Sequence, residues 1–222
     1  MIKLLLSLFI AVLPNAVKRY VYNHFFGYDI HPTASIGLSL INVKNVKMGP
    51  HARIKHFCVI KGLECLEIGA YGSIGVLNRF SGVPLSETSF FQAKKDRYPA
   101  LIMGEHSAIV SRHYFDCNDT ITIGRFTTIA GLGCAFWTHG INIKDNVQET
   151  APIEIGEYCL VSARVVVIKG AKLPDYSVLG ANSTLHKAYD KPYTLYSGVP
   201  AVPVTTLDSS YAYFHRKKGA VD

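Results

Sequence analysis

The sequence predicts an all-β protein built as a parallel β-helix, in which short strands joined by turns coil into a prism. The first observation is a six-residue period of aliphatic residues at Ile155, Val161, Val167, Leu173, Leu179 and Leu185. This period fits neither an α-helix nor a single strand, whose periods are about 3.6 and about 2 residues. The second observation is a small or β-branched residue four positions after each of the first five, at Cys159, Val165, Ala171, Ser177 and Ser183. One bulky and one small inward side chain per strand would fill the narrow core of a three-sided prism.

Residues 1–28 precede the repeat and predict a short helical segment. Residues 4–13 are apolar apart from one serine, and are too few for the roughly 20 that span a bilayer. Residues 15–28 place Lys18 and Arg19 among large apolar side chains, as a membrane-surface helix does. Two interpretations stay open for this segment: a helix on a membrane surface, and a helix that caps the open end of the prism.

The six-residue period extends over residues 29–187, which we predict to be the β-helix. Its upstream members are Ile30, Ile36, Met48, Ile54, Ile60, Ile68, Ile74, Met103, Ile109, Phe115, Ile123, Ile129 and Ala135, with the polar Asn42 as one weak member. A glycine follows several of them, where we expect it to permit the backbone bend at a corner. Because stacked coils need caps at both ends, residues 188–222 are predicted to close the prism and continue as a basic, solvated tail.

Two segments break the period, at residues 81–99 and 136–152. Solenoids place binding and catalytic residues in such insertions, because the stacked coils themselves only supply a scaffold. The second insertion carries Trp137, which is the only tryptophan of the chain, and His139. We therefore expect two exposed loops, of which the second contains the active site.

The composition is that of a folded domain and not of a disordered chain. The 222 residues are 49% hydrophobic and 18% charged, and the formal net charge is +7. This charge favours an acidic partner, such as a nucleotide-bearing cofactor or an anionic membrane surface. Nucleic acid is not expected, because the basic residues are scattered and cluster only at residues 215–218. Five cysteines without a CxxC pair indicate a reducing cytoplasm, and a membrane-surface helix at residues 1–28 would place the protein at the inner face of the membrane.

Residues 123–204 resemble the hexapeptide-repeat acyltransferases that acetylate sugars and polysaccharides. A Thr-His pair at 138–139 precedes the coils IGEYCLVSARVVVIKGAKLPDYSVLGANSTLHK and the closing segment YSGVPAVPV. The upstream stretch SRHYFDCNDTITIGRFTTIAG resembles a subgroup that acts on surface polysaccharides. The resemblance, which covers residues 29–204, implies a left-handed β-helix, acetyl-CoA as donor, a sugar acceptor and no metal. It also implies a homotrimer with three equivalent sites in the clefts between prisms.

Transfer of an acyl group to a sugar hydroxyl requires a base, because the pKa of an alcohol lies far above 7. His139 suits this role, since neutral imidazole is available near pH 7. No nucleophilic serine or cysteine motif is evident, which favours direct transfer in a ternary complex. His113 is the competing histidine, because it stands where the repeat expects a small residue. Asp116 either pairs with His113 inside the fold or orients a catalytic ring, and we favour the structural pair.

The resemblance also implies positions for the two substrates. Coenzyme A is expected along the prism between subunits, near Ser162, Ala163, Gly180, Ala181 and Lys187. Small residues let the pantetheine arm approach the backbone, and a lysine can meet phosphate charge. Arg164, Lys169 and Lys172 are alternative phosphate contacts. Trp137 and Asn142 are the candidates for shaping the acceptor pocket.

Three other functions stay open beside sugar O-acetylation. An N-acyltransferase acting on an amino sugar or a nucleotide-linked sugar would use the same donor. A γ-class carbonic anhydrase would need three histidines around zinc, and His106, His113 and His139 do not have that family's ligand spacing. A non-catalytic scaffold would keep the period but would need no histidine-bearing loop.

Overall fold

The computed structural model of the protein describes residues 2–219, and the side chains of residues 6–219. Two helices open the chain, α1 (Ile2–Ala11) and α2 (Asn15–Phe25). Coils of three short strands follow, then a terminal strand pair and a 3-10 helix at Ala212–His215. The predicted β-helix with an N-terminal helical segment and a C-terminal tail is confirmed.

Seven coils, each of three strands, make up the prism within the described residues. In chain order the strands are β1 (Asp29–Ile30), β2 (Ser35–Ile36), β3 (Leu40–Asn42), β4 (Asn45–Met48), β5 (Arg53–Ile54), β6 (Val59–Lys61), β7 (Cys65–Ile68), β8 (Ser73–Ile74), β9 (Arg79–Ser81), β10 (Ala100–Met103), β11 (Ala108–Ile109), β12 (Tyr114–Asp116), β13 (Thr120–Ile123), β14 (Thr128–Ile129), β15 (Ala135–Trp137), the hairpin strands β16 (His139–Asn142) and β17 (Val147–Thr150), β18 (Ile153–Ile155), β19 (Leu160–Val161), β20 (Val166–Ile168), β21 (Lys172–Leu173), β22 (Val178–Leu179), β23 (Thr184–Leu185), β24 (Thr194–Gly198) and β25 (Ala201–Thr206).

The strands stack in parallel into three faces. Face 1 has the order β1-β4-β7-β10-β13-β18-β21, face 2 runs β2-β5-β8-β11-β14-β19-β22-β24-β25, and face 3 runs β3-β6-β9-β12-β15-β20-β23. We call the edges between them corner 1–2, corner 2–3 and corner 3–1. Both insertions leave the prism at corner 3–1, the first after β9 and the second after β15.

Face 3 departs from the predicted phase by one residue in two coils. The inward residue of the first coil is Ile41, which is buried, whereas Asn42 is partly exposed. In the fifth coil Phe136 is fully buried, and Ala135, which the period selected, faces outward. Because side chains alternate along a strand, a shift of one residue exchanges inside and outside. Phe136 thereby joins Phe115 in the core, with ring centroids 4.5 Å apart.

The glycines that follow the inward aliphatic residues have a different role from the one expected. The left-handed conformations at the corners belong mainly to larger residues, such as Tyr71 (φ 58°) and Phe126 (φ 55°). At Gly104 an added Cβ would lie 2.5 Å from the backbone nitrogen of Arg125 in the next coil. These glycines are therefore required by the close approach of neighbouring coils and not by the bend.

Corner 1–2 carries a column of seven stacked rings, one per coil or closing strand: His51, Tyr71, His106, Phe126, Tyr158, Tyr176 and Tyr193. The C-terminal tail packs back along this column. Phe214 meets the edges of two of the rings, and the guanidinium of Arg216 lies 3.8 Å from the ring centroid of Tyr213. The expectation of a solvated tail is therefore wrong for Arg216, while Lys217 and Lys218 are exposed.

Both ends of the prism are covered. At the first coil the Ser7 hydroxyl donates to the carbonyl of Ile41 at 3.0 Å, and Lys18 Nζ donates to the carbonyl of Gly37 at 2.7 Å. Helices α1 and α2 therefore cap the prism, as one of the two interpretations predicted. At the other end β24 pairs with β22 and turns back as β25, which buries Tyr196.

Candidate active site

His139 and Asp116 form a hydrogen-bonded pair at corner 3–1. Asp116 is the last residue of β12, and His139 begins the hairpin that follows the next strand of face 3. Nδ1 of His139 lies 2.7 Å from Oδ2 of Asp116. The carboxylate can only accept, so Nδ1 carries the proton and donates it to Asp116. Nε2 has no hydrogen-bond partner among the described residues and is the nitrogen left for a substrate.

The carboxylate of Asp116 is held from several sides. Its Oδ2 accepts the backbone N–H of Thr138 at 3.1 Å, and the side-chain amide of Asn118 donates to Oδ1. The Thr138 hydroxyl donates to the Asp116 carbonyl at 2.7 Å and accepts from the backbone N–H of Asp119 at 3.0 Å. Asp116 and Thr138 are both buried, so the acceptor for the imidazole has a fixed position.

The environment makes His139 more basic than an ordinary histidine. The hydrogen bond from Nδ1 to Asp116 raises the pKa of His139, and the negative charge of the carboxylate acts in the same direction. Partial burial opposes this and lowers the pKa by a smaller amount. The side chain of His139 is 32% exposed, against 5% for Asp116, so solvent reaches the histidine of the pair and not the carboxylate.

Residues 82–99 pack against this pair and contain no helix or strand. The rings of Phe91 and His139 are nearly perpendicular to each other, with their centroids 5.8 Å apart. The guanidinium of Arg97 lies 4.6 Å from the Phe91 ring centroid and donates to the carbonyl of Val83 at 2.6 Å. Phe91 and Arg97 are both buried. The first insertion was expected to be an exposed loop, but its residue Phe91 packs against the ring of His139.

Asp119 joins both insertions to the prism. Its Oδ2 accepts from the hydroxyl of Thr150 at the end of the hairpin, at 2.8 Å. Its Oδ1 accepts from the backbone N–H of Tyr98, at 3.3 Å, where the first insertion returns to the prism. Four residues of this region were not predicted from the sequence: Asn118, Asp119, Phe91 and Arg97. The run of polar residues directly after β12 was a readable signal for the first two, whereas nothing in the irregular segment marked the others.

His113 does not pair with Asp116, so the favoured structural pair is wrong. His113 lies at corner 2–3, directly before β12, whereas the Asp116 carboxylate lies at corner 3–1 against His139. Nδ1 of His113 accepts the backbone N–H of Cys134 at 3.1 Å, and Nε2 is buried without a partner among the described residues. Burial lowers the pKa of His113 to about 4. The ring is thus a neutral, inward-facing group between two coils.

The second insertion contains a β-hairpin. Strands β16 and β17 pair antiparallel, and Lys169 Nζ on the prism lies 2.6 Å from Oε2 of Glu149 on the hairpin. Asn142 donates to Glu149 Oε1 at 2.7 Å, so its amide is used within the hairpin. Trp137 is 38% exposed at the end of β15, with its ring 5.0 Å from that of Tyr114. Trp137 is adjacent to the pair in the chain, whereas Asn142 is at the far end of β16.

The predicted donor residues lie at two different corners. Ser162 with Ala163, and Gly180 with Ala181, follow β19 and β22 on face 2 and so stack at corner 2–3. Lys187 follows β23 at corner 3–1, two strands above β15 on face 3. Within one chain only Lys187 therefore shares a corner with His139. The structure also gives Gly180 a packing role, because an added Cβ would lie 2.7 Å from Oγ of Ser197.

Comparisons with protein-family models and with curated proteins found no match. Solved structures do match. A hexapeptide-repeat acetyltransferase from Vibrio cholerae is 21% identical, with a TM-score of 0.52 over 64% of this chain and 73% of that one. A maltose O-acetyltransferase from Clostridium difficile is 18% identical, with a TM-score of 0.51 over 64% and 69%. A variant of AntD, an N-acyltransferase from Bacillus cereus in complex with dTDP-4-amino-4,6-dideoxyglucose and coenzyme A, is 14% identical, with a TM-score of 0.54 over 86% and 89%. The protein has the left-handed parallel β-helix fold of these hexapeptide-repeat enzymes.

Proposed function

We propose that the protein is an acyltransferase that moves an acetyl group from acetyl-CoA to a hydroxyl of a sugar or surface-polysaccharide precursor. The observation that carries the proposal is the pair of His139 and Asp116, in which a buried carboxylate orients a solvent-reachable imidazole. Such a pair is the arrangement that a general base requires. The structural neighbours support the same class, since they include an O-acetyltransferase and an N-acyltransferase.

In the proposed reaction Nε2 of His139 accepts the proton of the acceptor hydroxyl as its oxygen attacks the thioester carbonyl. The C–S bond of the tetrahedral intermediate then breaks, and the imidazolium returns the proton to the leaving thiolate. Asp116 keeps the proton on Nδ1 and stabilises the positive charge that His139 carries between these two steps. Backbone N–H groups of the corner would stabilise the oxyanion of the intermediate.

Transfer directly between the substrates fits the state of the cysteines. Cys117 is adjacent to Asp116 in the chain but is fully buried, and burial raises the pKa of its thiol well above the ordinary value. Burial also raises the pKa of the other four cysteine thiols. Since the thiolate is the nucleophile, these groups are poor candidates for carrying an acyl group.

The second candidate is N-acylation of an amino sugar or a nucleotide-linked sugar, which AntD as a structural neighbour favours. The donor and the base would be the same, and only the attacking atom would differ. The products separate the two candidates, because mild alkali cleaves an ester and leaves an amide intact. An alkali-stable product from an amino sugar, with no transfer to hydroxyl acceptors, would replace O-acetylation as the proposal.

The carbonic-anhydrase alternative finds little support in the histidines. His106 lies at corner 1–2 within the ring column, His113 is at corner 2–3 and faces inward, and His139 is at corner 3–1. They therefore do not converge within one chain. A scaffold protein would show neither transfer nor hydrolysis of acetyl-CoA, so the same assay tests that alternative.

The deciding experiment is the variant His139→Ala, assayed for acetyl transfer from acetyl-CoA to sugar acceptors. Removal of a general base is expected to lower turnover about 100-fold or more, with the melting temperature close to that of the unmodified protein. His51→Ala is the matched control, because His51 is an exposed histidine at corner 1–2. Unchanged turnover in a folded His139→Ala protein would remove His139 as the base.

A further inference from the structure

The excess of basic over acidic residues lies in the part of the chain that forms the capped end, although Lys18 is buried there and Lys44 and Lys47 pair with Glu64 and Glu67 of the next coil. Residues 1–63 contain eight Lys and Arg against one Asp, whereas residues 64–222 contain fifteen Lys and Arg and fifteen Asp and Glu. The whole formal charge of +7 therefore arises from the two helices and the first two coils. No catalytic role in the proposed reaction needs this distribution, because Asp116 and His139 belong to later coils.

Helix α1 has an apolar side chain on nearly every side, yet only one side is covered. Ser7 and Ile10 are buried against the first coil. The opposite arc exposes large apolar side chains, with exposed fractions of 48% at Leu6, 52% at Leu8 and 78% at Phe9. A helix that is apolar all round is normally buried on all sides. The outer side of α1 therefore lacks the apolar environment that its sequence is suited to.

Helix α2 continues this surface with aromatic and basic groups. Tyr20, His24 and Phe25 form an exposed cluster, with the Tyr20 and His24 ring centroids 5.1 Å apart. Amphipathic aromatic side chains of this kind concentrate at the boundary between lipid headgroups and hydrocarbon. Arg19, beside Tyr20, is partly exposed.

We propose that the capped end of the protein binds the surface of an anionic lipid bilayer, with the outer sides of α1 and α2 at the level of the headgroups. No helix in residues 2–219 is long and apolar enough to cross a bilayer, so the proposed contact is interfacial. The exposed apolar side chains would enter the boundary region, and the negative lipid surface would attract Arg19 and the exposed Arg53, Lys55 and Lys61 of the nearby second coil. This proposal is independent of the acyl-transfer reaction.

Charge decides between a lipid surface and a second copy of the protein as the occupant. Two capped ends that met face to face would bring together two sets of basic side chains without an acidic partner among the described residues, namely Arg19, Arg53, Lys55 and Lys61 in each copy. Like charges of that number repel, whereas an anionic bilayer attracts them. The lipid surface is therefore the occupant that satisfies both the apolar side chains and the charge.

The test is sedimentation of the full-length protein with vesicles of phosphatidylcholine alone and with a third of phosphatidylglycerol. Binding is expected to the anionic vesicles, weaker binding to the neutral ones, and a decline as salt rises. Phe9→Asp should lower the partition coefficient about tenfold or more, because it replaces an inserted ring by a charge. Val204→Asp is the matched control, since Val204 is 58% exposed on β25, away from the cap.

Several outcomes would overturn the proposal. Equal binding to both vesicle types would show that anionic lipid is not required. Equal loss of binding in Phe9→Asp and Val204→Asp would show that the outer side of α1 is not the binding surface. A fall in oligomer mass in Phe9→Asp, measured by light scattering, would assign the surface to a second copy. Turnover on a soluble sugar should be unchanged in both variants, so failure of lipid binding is distinguishable from failure of the proposed reaction.

Discussion

At the scale of the residue, Asp116 sets the pH range in which His139 can accept a proton. Because Asp116 raises the pKa of His139, the imidazole is charged, and unable to act as a base, up to a higher pH than an ordinary histidine. In Asp116→Asn the pKa of His139 should fall towards its ordinary value of about 6.5. The acid limb of kcat/KM should then move to lower pH, while the maximal rate falls about 100-fold or more because the tautomer is no longer fixed. The pairing of His139 with Asp116 would be contradicted if the acid limbs of the unmodified protein and of Asp116→Asn superimposed.

His113 provides a prediction about stability and not about catalysis. Its pKa is about 4 in the folded protein, because of burial, and about 6.5 in the unfolded chain. Between these values the unfolded chain binds more protons, so the free energy of unfolding should fall as the pH falls from about 6.5 towards 4. The variant His113→Asn should lose this contribution, which chemical denaturation at several pH values would measure. A pH dependence unchanged by the substitution would mean that His113 binds a proton as readily in the fold as in the unfolded chain.

The replacement by asparagine is suited to this position because Asn78 occupies it one coil earlier. Oδ1 of Asn78 accepts the backbone N–H of His113 at 2.9 Å, as Nδ1 of His113 accepts that of Cys134. His113→Asn should therefore keep the hydrogen bond, whereas His113→Ala leaves the Cys134 N–H unpaired and opens a cavity. We expect His113→Ala to cost about 2–4 kcal/mol of stability and His113→Asn less, with turnover intact in both. Loss of turnover at neutral pH in a folded His113→Asn protein would assign it a catalytic role.

At the scale of the element, the segment between β9 and β10 is predicted to position the base. Phe91 packs edge-on against His139 and under the guanidinium of Arg97. Phe91→Ala should lower kcat about tenfold by loosening the imidazole, since small misplacements of a reacting group are costly. Phe90→Ala is the matched control, because the neighbouring ring is 49% exposed. Equal kinetic effects in the two variants, or a loss confined to KM, would argue against positioning through Phe91.

The sequence predicted the strands well where the six-residue period is regular and poorly where it slips. The period identified the inward residues of faces 1 and 2, but it selected Asn42 and Ala135 where the structure buries Ile41 and Phe136. A prism with three narrow faces accepts a one-residue shift at a corner, and a period carries no information about such shifts. The sequence predicted that an insertion follows β15, but not that it forms a hairpin. Its position depends on contacts with residues distant in the chain, such as Asp119 with Thr150.

At the scale of the whole molecule, the predicted donor residues and the proposed base lie at different corners of one chain. Ala163 and Ala181 lie at corner 2–3, while His139 lies at corner 3–1, on the other side of face 3. If coenzyme A binds at corner 2–3 and its thioester reacts at corner 3–1, then a neighbouring copy must supply one of these two corners to each site. A cyclic trimer, which we propose, would bring the corners together three times.

This arrangement predicts that two inactive variants restore activity to each other. His139→Ala lacks the base, and Ala181→Trp would block the donor site at an exposed position, which leaves the fold intact. In randomly mixed trimers about one quarter of the sites would pair an intact His139 with an intact Ala181 of the next copy. Co-expression of the two variants should therefore give about one quarter of the unmodified activity per site. A site built within one chain would instead stay inactive in the mixture, since every chain would carry one defect, and light scattering of the same samples would show whether mixed trimers had formed.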